Sequence, residues 1–313
     1  MKKGLKIIGF IFLGILAIIV IFFAGLFINN KIKLHNEKDK IETYGESVEV
    51  NGENMQVSIS GKGNKTIVLL PGFMTASPVI DFKQLTDELE KTYEVVVIEP
   101  LGYGLSDDTK KERSVNTLTE EIHTVLEKKG IKKYTLMAHS ISGVYSLDYI
   151  KKYPDEVEAF VGIDSSLPAQ GKGDDNQEGM ISFLSHSGVF RLLANTDETM
   201  LNLPNVTPEL KEQYKYLSFK NIGSKGTMNE AKAMPENFKK TLDIKYPEEL
   251  PIMYFLATES TEPDDNWLKI HQDMVKNSEQ SDIKILEGSH YLHHTKAKEI
   301  SDMTDDFLNE KLK

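Results

Sequence analysis

At 313 residues and 40% hydrophobic content, the chain is long enough for one large domain or two small ones around a substantial core. The absence of cysteine excludes disulfides, thiolate zinc sites and cysteine nucleophiles. Arg113 and Arg191 are the only arginines and the net charge is −11, so nucleic acid is not an expected partner.

The charge is uneven: the first 40 residues carry +5 and the remainder −16. Ile7 to Ile28 is a 22-residue apolar run without a charge, set between Lys2, Lys3, Lys6 and Lys31, Lys33. At ~1.5 Å per residue it spans a bilayer core of ~30 Å. It exceeds the apolar region of a cleaved signal peptide, and no A-x-A site follows, so a retained anchor over residues 1–30 is expected. Lysines flank both ends, which leaves orientation to the habit of short-tailed N-terminal anchors. The expected location is the cell membrane, single-pass, with the domain that follows outside the cytoplasm. An acidic domain is repelled by anionic lipid, so electrostatics would not hold it there.

Residues 31–43 are polar, charged and without periodicity, and read as a linker. The soluble domain starts near Tyr44. Ser47 to Val50, Asn51-Gly52 and Met55 to Ile59 read as a hairpin, and Thr66 to Leu70 as a buried strand. Ser77-Pro78 starts a helix, and Tyr93 to Ile98 is the next strand. Thr117 with Glu120 is a capping box for a helix that ends at Gly130. Tyr134 to Met137 is a central strand, Gly143 onward is helical, and Val157 to Ile163 is a strand ending at Asp164. Strand and helix alternating at this cadence predict an α/β fold with a mostly parallel sheet covered on both faces. The cadence breaks over residues 165–246, where Met180 to Leu193 and Pro208 to Phe219 are helical, and this predicts a helical cap inserted after the sixth strand. The core is then 44–164 and 247–313. Pro251 to Ala257 and Ile283 to Leu286 are strands, with a helix near Asn266 to Val275 between them.

Ser140 lies where the strand turns directly into the helix. A bend that tight brings residues two before and two after it nearly into contact, so both must be small; here they are Ala138 and Ser142. Four stretches in order resemble the α/β-hydrolase family over residues 47 to 313. Leu69-Leu70-Pro71-Gly72-Phe73 stands at the family's His-Gly oxyanion loop, with Pro71 replacing the histidine. Gly102-Tyr103-Gly104-Leu105-Ser106 looks like its G-x-G-x-S turn, Ser140 like its nucleophile elbow, and Gly288-Ser289-His290 like its G-x-x-H end, one residue shorter.

The resemblance implies Ser140 as nucleophile, His290 as base, and the backbone N–H groups of Phe73 and Ile141 as oxyanion donors. The acid is ambiguous. The family's usual place, after the strand beyond the cap, holds Ser260, with Glu259 and Glu262 as neighbours. The alternative is Asp164, because Gly162-Ile163-Asp164-Ser165-Ser166-Leu167-Pro168 looks like the G-L-D-P-A-x-P stretch of pancreatic-type lipases. Zinc at His290, His293 and His294 is not expected, because no carboxylate lies at a supporting spacing. No cofactor is expected. Tyr103 and Ser106 read as turn residues, and Trp267 as packing or cap contact. Phe183, Leu184, Val189, Phe190, Leu192, Leu193, Met200 and Leu201 read as either an acyl pocket or packing of the cap onto the core.

The expected activity is hydrolysis of carboxylic esters, of which acyl lipids are one class, through an acyl-enzyme. The partners are then a small ester or acyl substrate and the membrane. Acyl transfer or peptide hydrolysis with the same residues, and an inactive hydrolase fold used as a binding module, are the alternatives. A serine nucleophile argues against dehalogenase and epoxide-hydrolase chemistry.

Overall fold

The computed structural model describes residues 2–171, 178–197, 199–201, 203–263 and 265–312. The chain opens on helix α1 (Lys2–Glu37), followed by strands β1 (Glu46–Val50), β2 (Glu53–Ser60) and β3 (Thr66–Leu70). Helices α2 (Pro78–Asp81) and α3 (Lys83–Leu89) lead to β4 (Glu94–Glu99), and α4 (Val115–Lys128) to β5 (Tyr134–His139). Helix α5 (Ser142–Lys152) and β6 (Val157–Ile163) come next. The cap then contributes α6 (Glu178–Ser187), α7 (Val189–Thr196), α8 (Pro208–Asn221) and α9 (Lys225–Thr241). The chain returns through β7 (Ile252–Ala257), α10 (Thr258–Thr261), α11 (Asp265–Val275), β8 (Ser281–Leu286), α12 (Leu292–Thr295) and α13 (Ala297–Lys311).

Among the described residues eight strands form one sheet in the order β1-β2-β4-β3-β5-β6-β7-β8. From β4 to β8 all neighbours are parallel, and β2 is antiparallel to both β1 and β4. The β1–β2 turn places Asn51 and Gly52 both at positive φ, the conformation an Asn-Gly hairpin requires. Every residue of β5 and β7 is buried, as expected of parallel strands covered on both faces. One apolar layer joins Val68, Leu136 and Tyr254 to α4, α5 and α11. The other joins Leu69, Met137 and Phe255 to α3 and α13.

Several elements differ from expectation. The α4 cap is Ser114, whose hydroxyl accepts from Thr117 N–H, rather than a box begun by Thr117. Gly188 at φ +85° divides the 180–193 helix into α6 and α7. Helix α9, with Pro235 inside it, carries no contiguous apolar signal and was not foreseen. The stretch expected as a linker is helical as far as Glu37 and docks on the cap. Along α1, Phe23, Leu26, Asn30, Leu34 and Glu37 are the partly or fully buried residues, spaced as one helical face. Arg191 of α7 donates to Asn30 Oδ1 at 2.8 Å and to Glu37 Oε1 at 2.7 Å. This stripe is polar at its outer end, so it left no hydrophobic period to detect.

Candidate active site

The C-terminal ends of β3, β5, β6 and β8 carry Phe73, Ser140, Asp164 and His290 to one edge of the sheet, where ligands meet parallel α/β sheets. Among the described residues five non-glycine residues have positive φ, and three of them stand here: Met74 at 58°, Ser140 at 53° and Asp164 at 41°. Such backbone costs about 1–3 kcal/mol per residue and persists where surrounding contacts over-determine it. At Ser140 the contacts are visible: its carbonyl accepts from Gly143 N–H at 2.9 Å and Ser166 N–H at 2.8 Å, while its N–H donates to Ile163 O at 3.3 Å.

The flanking residues act as the bend demands. Ala138 and Ser142 are buried, and the Ser142 hydroxyl donates to the Pro71 carbonyl, tying the elbow to the loop after β3. Gly72 is required there, because a Cβ would lie 2.7 Å from His139 Nδ1 and 3.1 Å from Ser140 Cβ. Beyond it, the N–H groups of Phe73 and Ile141 have no hydrogen-bond acceptor among the described residues. Ile141 also stands at the N-terminus of α5, where the helix dipole favours negative charge.

His290 Nδ1 lies 2.6 Å from Asp164 Oδ2. A carboxylate only accepts, so Nδ1 carries the proton and Nε2 is left with its lone pair. Asp164 is fully buried and accepts four hydrogen bonds: Oδ1 from Ala257 N–H at 3.0 Å and Trp267 Nε1 at 2.9 Å, Oδ2 from Ser260 Oγ and His290, both at 2.6 Å. Burial works against its charge, but the bonds from His290, Ser260 and Ala257 outweigh it and hold the carboxyl below its ordinary value. Neither other acid candidate reaches the His290 ring. Glu259 accepts from the His290 backbone N–H at 2.8 Å, and Glu262 is exposed after α10. Ser260, at the position where the resemblance places the acid, donates to Asp164. Among the described residues Ser140 Oγ makes no hydrogen bond to His290, a contact that often tightens only when substrate is bound.

Trp267, expected as packing or cap contact, instead donates to Asp164, a partner 103 residues away that no local signal indicates. Trp267→Phe keeps most of the ring volume and removes one of four donors. Turnover is expected to fall about tenfold with KM little changed, as steady-state kinetics would measure. Tyr103 likewise does more than turn the chain. Its hydroxyl accepts from Met74 N–H at 3.2 Å and donates to Glu230 Oε2 at 2.6 Å, and Tyr145 donates to Glu230 Oε1 at 2.8 Å. The loop beside Phe73 is thereby held by a buried carboxylate of cap helix α9. Burial raises the Glu230 pKa despite both tyrosines.

Behind the site, Asp81 supplies the carboxylate that local spacing did not. Its oxygens lie 2.8 Å from His293 Nε2 and 2.9 Å from His294 Nε2, and the three offer ligand atoms close enough to hold a metal ion. His290 is turned to Asp164 and takes no part. Both separations are those of direct N–H···O hydrogen bonds. Although burial opposes it, the two imidazoles hold the Asp81 carboxyl far below its ordinary value. His293 is edge-on to His139 with ring centroids 4.6 Å apart, and His139 Nε2 lies 3.1 Å from the His290 carbonyl. A line of imidazoles thus links α2 to the His290 loop.

Burial lowers the pKa of His139 far, with help from His293 and His290, and burial also lowers those of His293 and His271. The folded chain keeps these rings neutral, whereas the unfolded chain protonates them near about pH 6.5. Their stabilisation is therefore complete above ~6.5 and lost as pH falls below it. The depressed Asp81 and Asp164 act in the same direction, but only below ~4. Thermal unfolding between pH 8 and 5 should show Tm falling on the acid side; a flat profile would contradict this.

Residues 65–297 match the family model described as alpha/beta hydrolase fold. The chain is 26% identical over 321 residues to the uncharacterized protein YbdG of Bacillus subtilis, covering 98% of this chain and 99% of that one, so the alignment takes in most of the N-terminal helix. Among solved structures, an esterase from Exiguobacterium antarcticum superposes with TM-score 0.67 at 17% identity, over 85% of this chain and 100% of its own. An epoxide hydrolase mutant of Vigna radiata superposes with TM-score 0.65 at 17% identity, over 85% and 98%. Those likenesses speak for the fold, and the family model speaks for membership: the chain belongs to the α/β-hydrolase fold family.

Proposed function

We propose that this protein is a membrane-anchored serine hydrolase that cleaves carboxylic esters through an acyl-enzyme. The observation that carries the reading is the contact of buried Asp164 with the partly exposed His290, beside a serine held at positive φ. In this reading His290 Nε2 takes the Ser140 proton as Oγ attacks the ester carbonyl. The oxyanion receives hydrogen bonds from Phe73 and Ile141 N–H, which are not otherwise engaged among the described residues. The imidazolium, stabilised by Asp164, returns the proton to the departing alkoxide. Water then repeats the sequence on the acyl-enzyme and releases the acid.

Covalent epoxide opening and dehalogenation use a carboxylate nucleophile, and position 140 is serine. Serine at position 260, Pro71 and the glycine-free elbow suit an inactive binding module; against the first of these, Asp164 lies 2.6 Å from His290, which supports the catalytic reading. The anchor reading rests on α1. It is long and apolar enough to cross a membrane, and no residue of its most apolar 18-residue stretch is fully buried in the protein. The proposed location is the cell membrane with the catalytic domain outside the cytoplasm. Full-length protein in detergent, mixed with p-nitrophenyl esters of two to twelve carbons, should release nitrophenol in a burst approaching one equivalent before the steady state. Absence of turnover across the series would overturn the esterase assignment.

A further inference from the structure

Four of the cap residues weighed as an acyl pocket face outward: Phe183, Leu192, Leu193 and Met200 are exposed, as is Met180. Phe190, Ala194 and Leu184 pack inward with Phe219, so α6 and α7 each show apolar side chains on their outer face as well. Exposed apolar surface of this kind in an acidic domain calls for a cover.

Its position relative to α1 says what the cover is. Phe183 meets the ring of Phe23 at a centroid distance of 5.8 Å, and Phe23 lies five residues inside the apolar run that ends at Ile28. That is a depth of ~7.5 Å along the helix axis. The corner between α6 and α7 also lies within the apolar run but nearer its end, since a Cβ on Gly188 would lie 2.6 Å from the Leu26 carbonyl. The contact turns polar only at Asn30, which donates to the Ser185 carbonyl at 3.1 Å and accepts from Arg191. Beyond it, a cavity beside Asn29 and Lys33 is lined by Lys211, Glu212 and Lys215, the charged surface suited to a headgroup layer.

We propose that the outer face of α6, with Met180 and Phe183, is embedded in the outer part of the bilayer beside α1, so that the cap is seated in the membrane instead of tethered above it. This rests on the anchor reading. If α1 spans a bilayer, its contact with Phe183 puts that side chain below the headgroups. An interfacial helix buried ~5–10 Å has this geometry.

The chain has no cysteine, so single-cysteine variants carry one probe each. Full-length Met180→Cys, Phe183→Cys and, as control, Lys151→Cys at the far end of α5, are labelled with an environment-sensitive fluorophore and reconstituted in phosphatidylcholine vesicles. Probes at 180 and 183 should emit at shorter wavelength and be quenched severalfold more by lipids spin-labelled near the headgroup than the probe at 151. If they match the probe at 151 while the protein resists alkaline extraction, the seated cap is overturned and the anchor stands. Blue-shifted emission that spin-labelled lipid does not quench would mean protein covers the face, as a second copy of the chain would, and also overturns it. Loss of the protein on alkaline washing would defeat the anchor reading itself.

Discussion

Replacing Ser140 with alanine is expected to lower kcat/KM for esters by about 10⁴-fold or more, with the fold unchanged by circular dichroism. The size follows from what the hydroxyl does in the proposed mechanism. Without it no acyl-enzyme forms, and only binding and the two backbone donors remain to assist water. Alanine retains the strained φ of 53°, so the elbow geometry is preserved and the loss reports chemistry. A decrease of less than tenfold would mean that hydrolysis takes another route.

Asp164→Asn is expected to cost about 10³–10⁴-fold in kcat, against less than about threefold for Glu262→Gln or Glu259→Gln. The asparagine keeps the volume but turns one acceptor into an NH2 donor at a site where four groups already donate. The imidazole then either loses its partner or turns over to the wrong tautomer. Because the pocket satisfies a carboxylate and not an amide, stability should fall as well, by about 1–3 kcal/mol. Steady-state kinetics on the three variants, with thermal melts, separates the candidates. An inactive Glu262→Gln beside an active Asp164→Asn would reassign the acid.

The sheet, its order of turns and the strand ends carrying Ser140, Phe73 and His290 were legible because each rests on a local signal: a continuous apolar run, a tight bend needing small neighbours, a glycine before the histidine. What stayed ambiguous depended on side chains meeting across the fold. Asp164 and Ser260 are 96 residues apart, so their 2.6 Å hydrogen bond could not be read from spacing. Asp81 and His293 are 212 residues apart, so the carboxylate beside the paired histidines could not be inferred from spacing. The docking stripe on α1 failed for a different reason. It alternates apolar and polar contacts at helical spacing, and a periodicity read from hydrophobicity alone passes over Asn30 and Glu37.

Pro71 stands where the resemblance places the family's loop histidine, and local bonding holds the loop. With Pro71 there, the loop is held by Ser142 through the Pro71 carbonyl and by Tyr103 through Met74 N–H, so the role is divided between the elbow and the cap-facing turn. Glu230 extends that support into α9, whose Phe238 packs with Ile141, Val144 and Tyr145.

The central claim, that Ser140 is an activated nucleophile, is tested most directly by treating the full-length protein with a fluorophosphonate and mapping the adduct by mass spectrometry. The account predicts a single adduct on Ser140, absent in Ser140→Ala and strongly slowed in His290→Ala. No adduct on folded wild-type protein, or one on another residue, would contradict it.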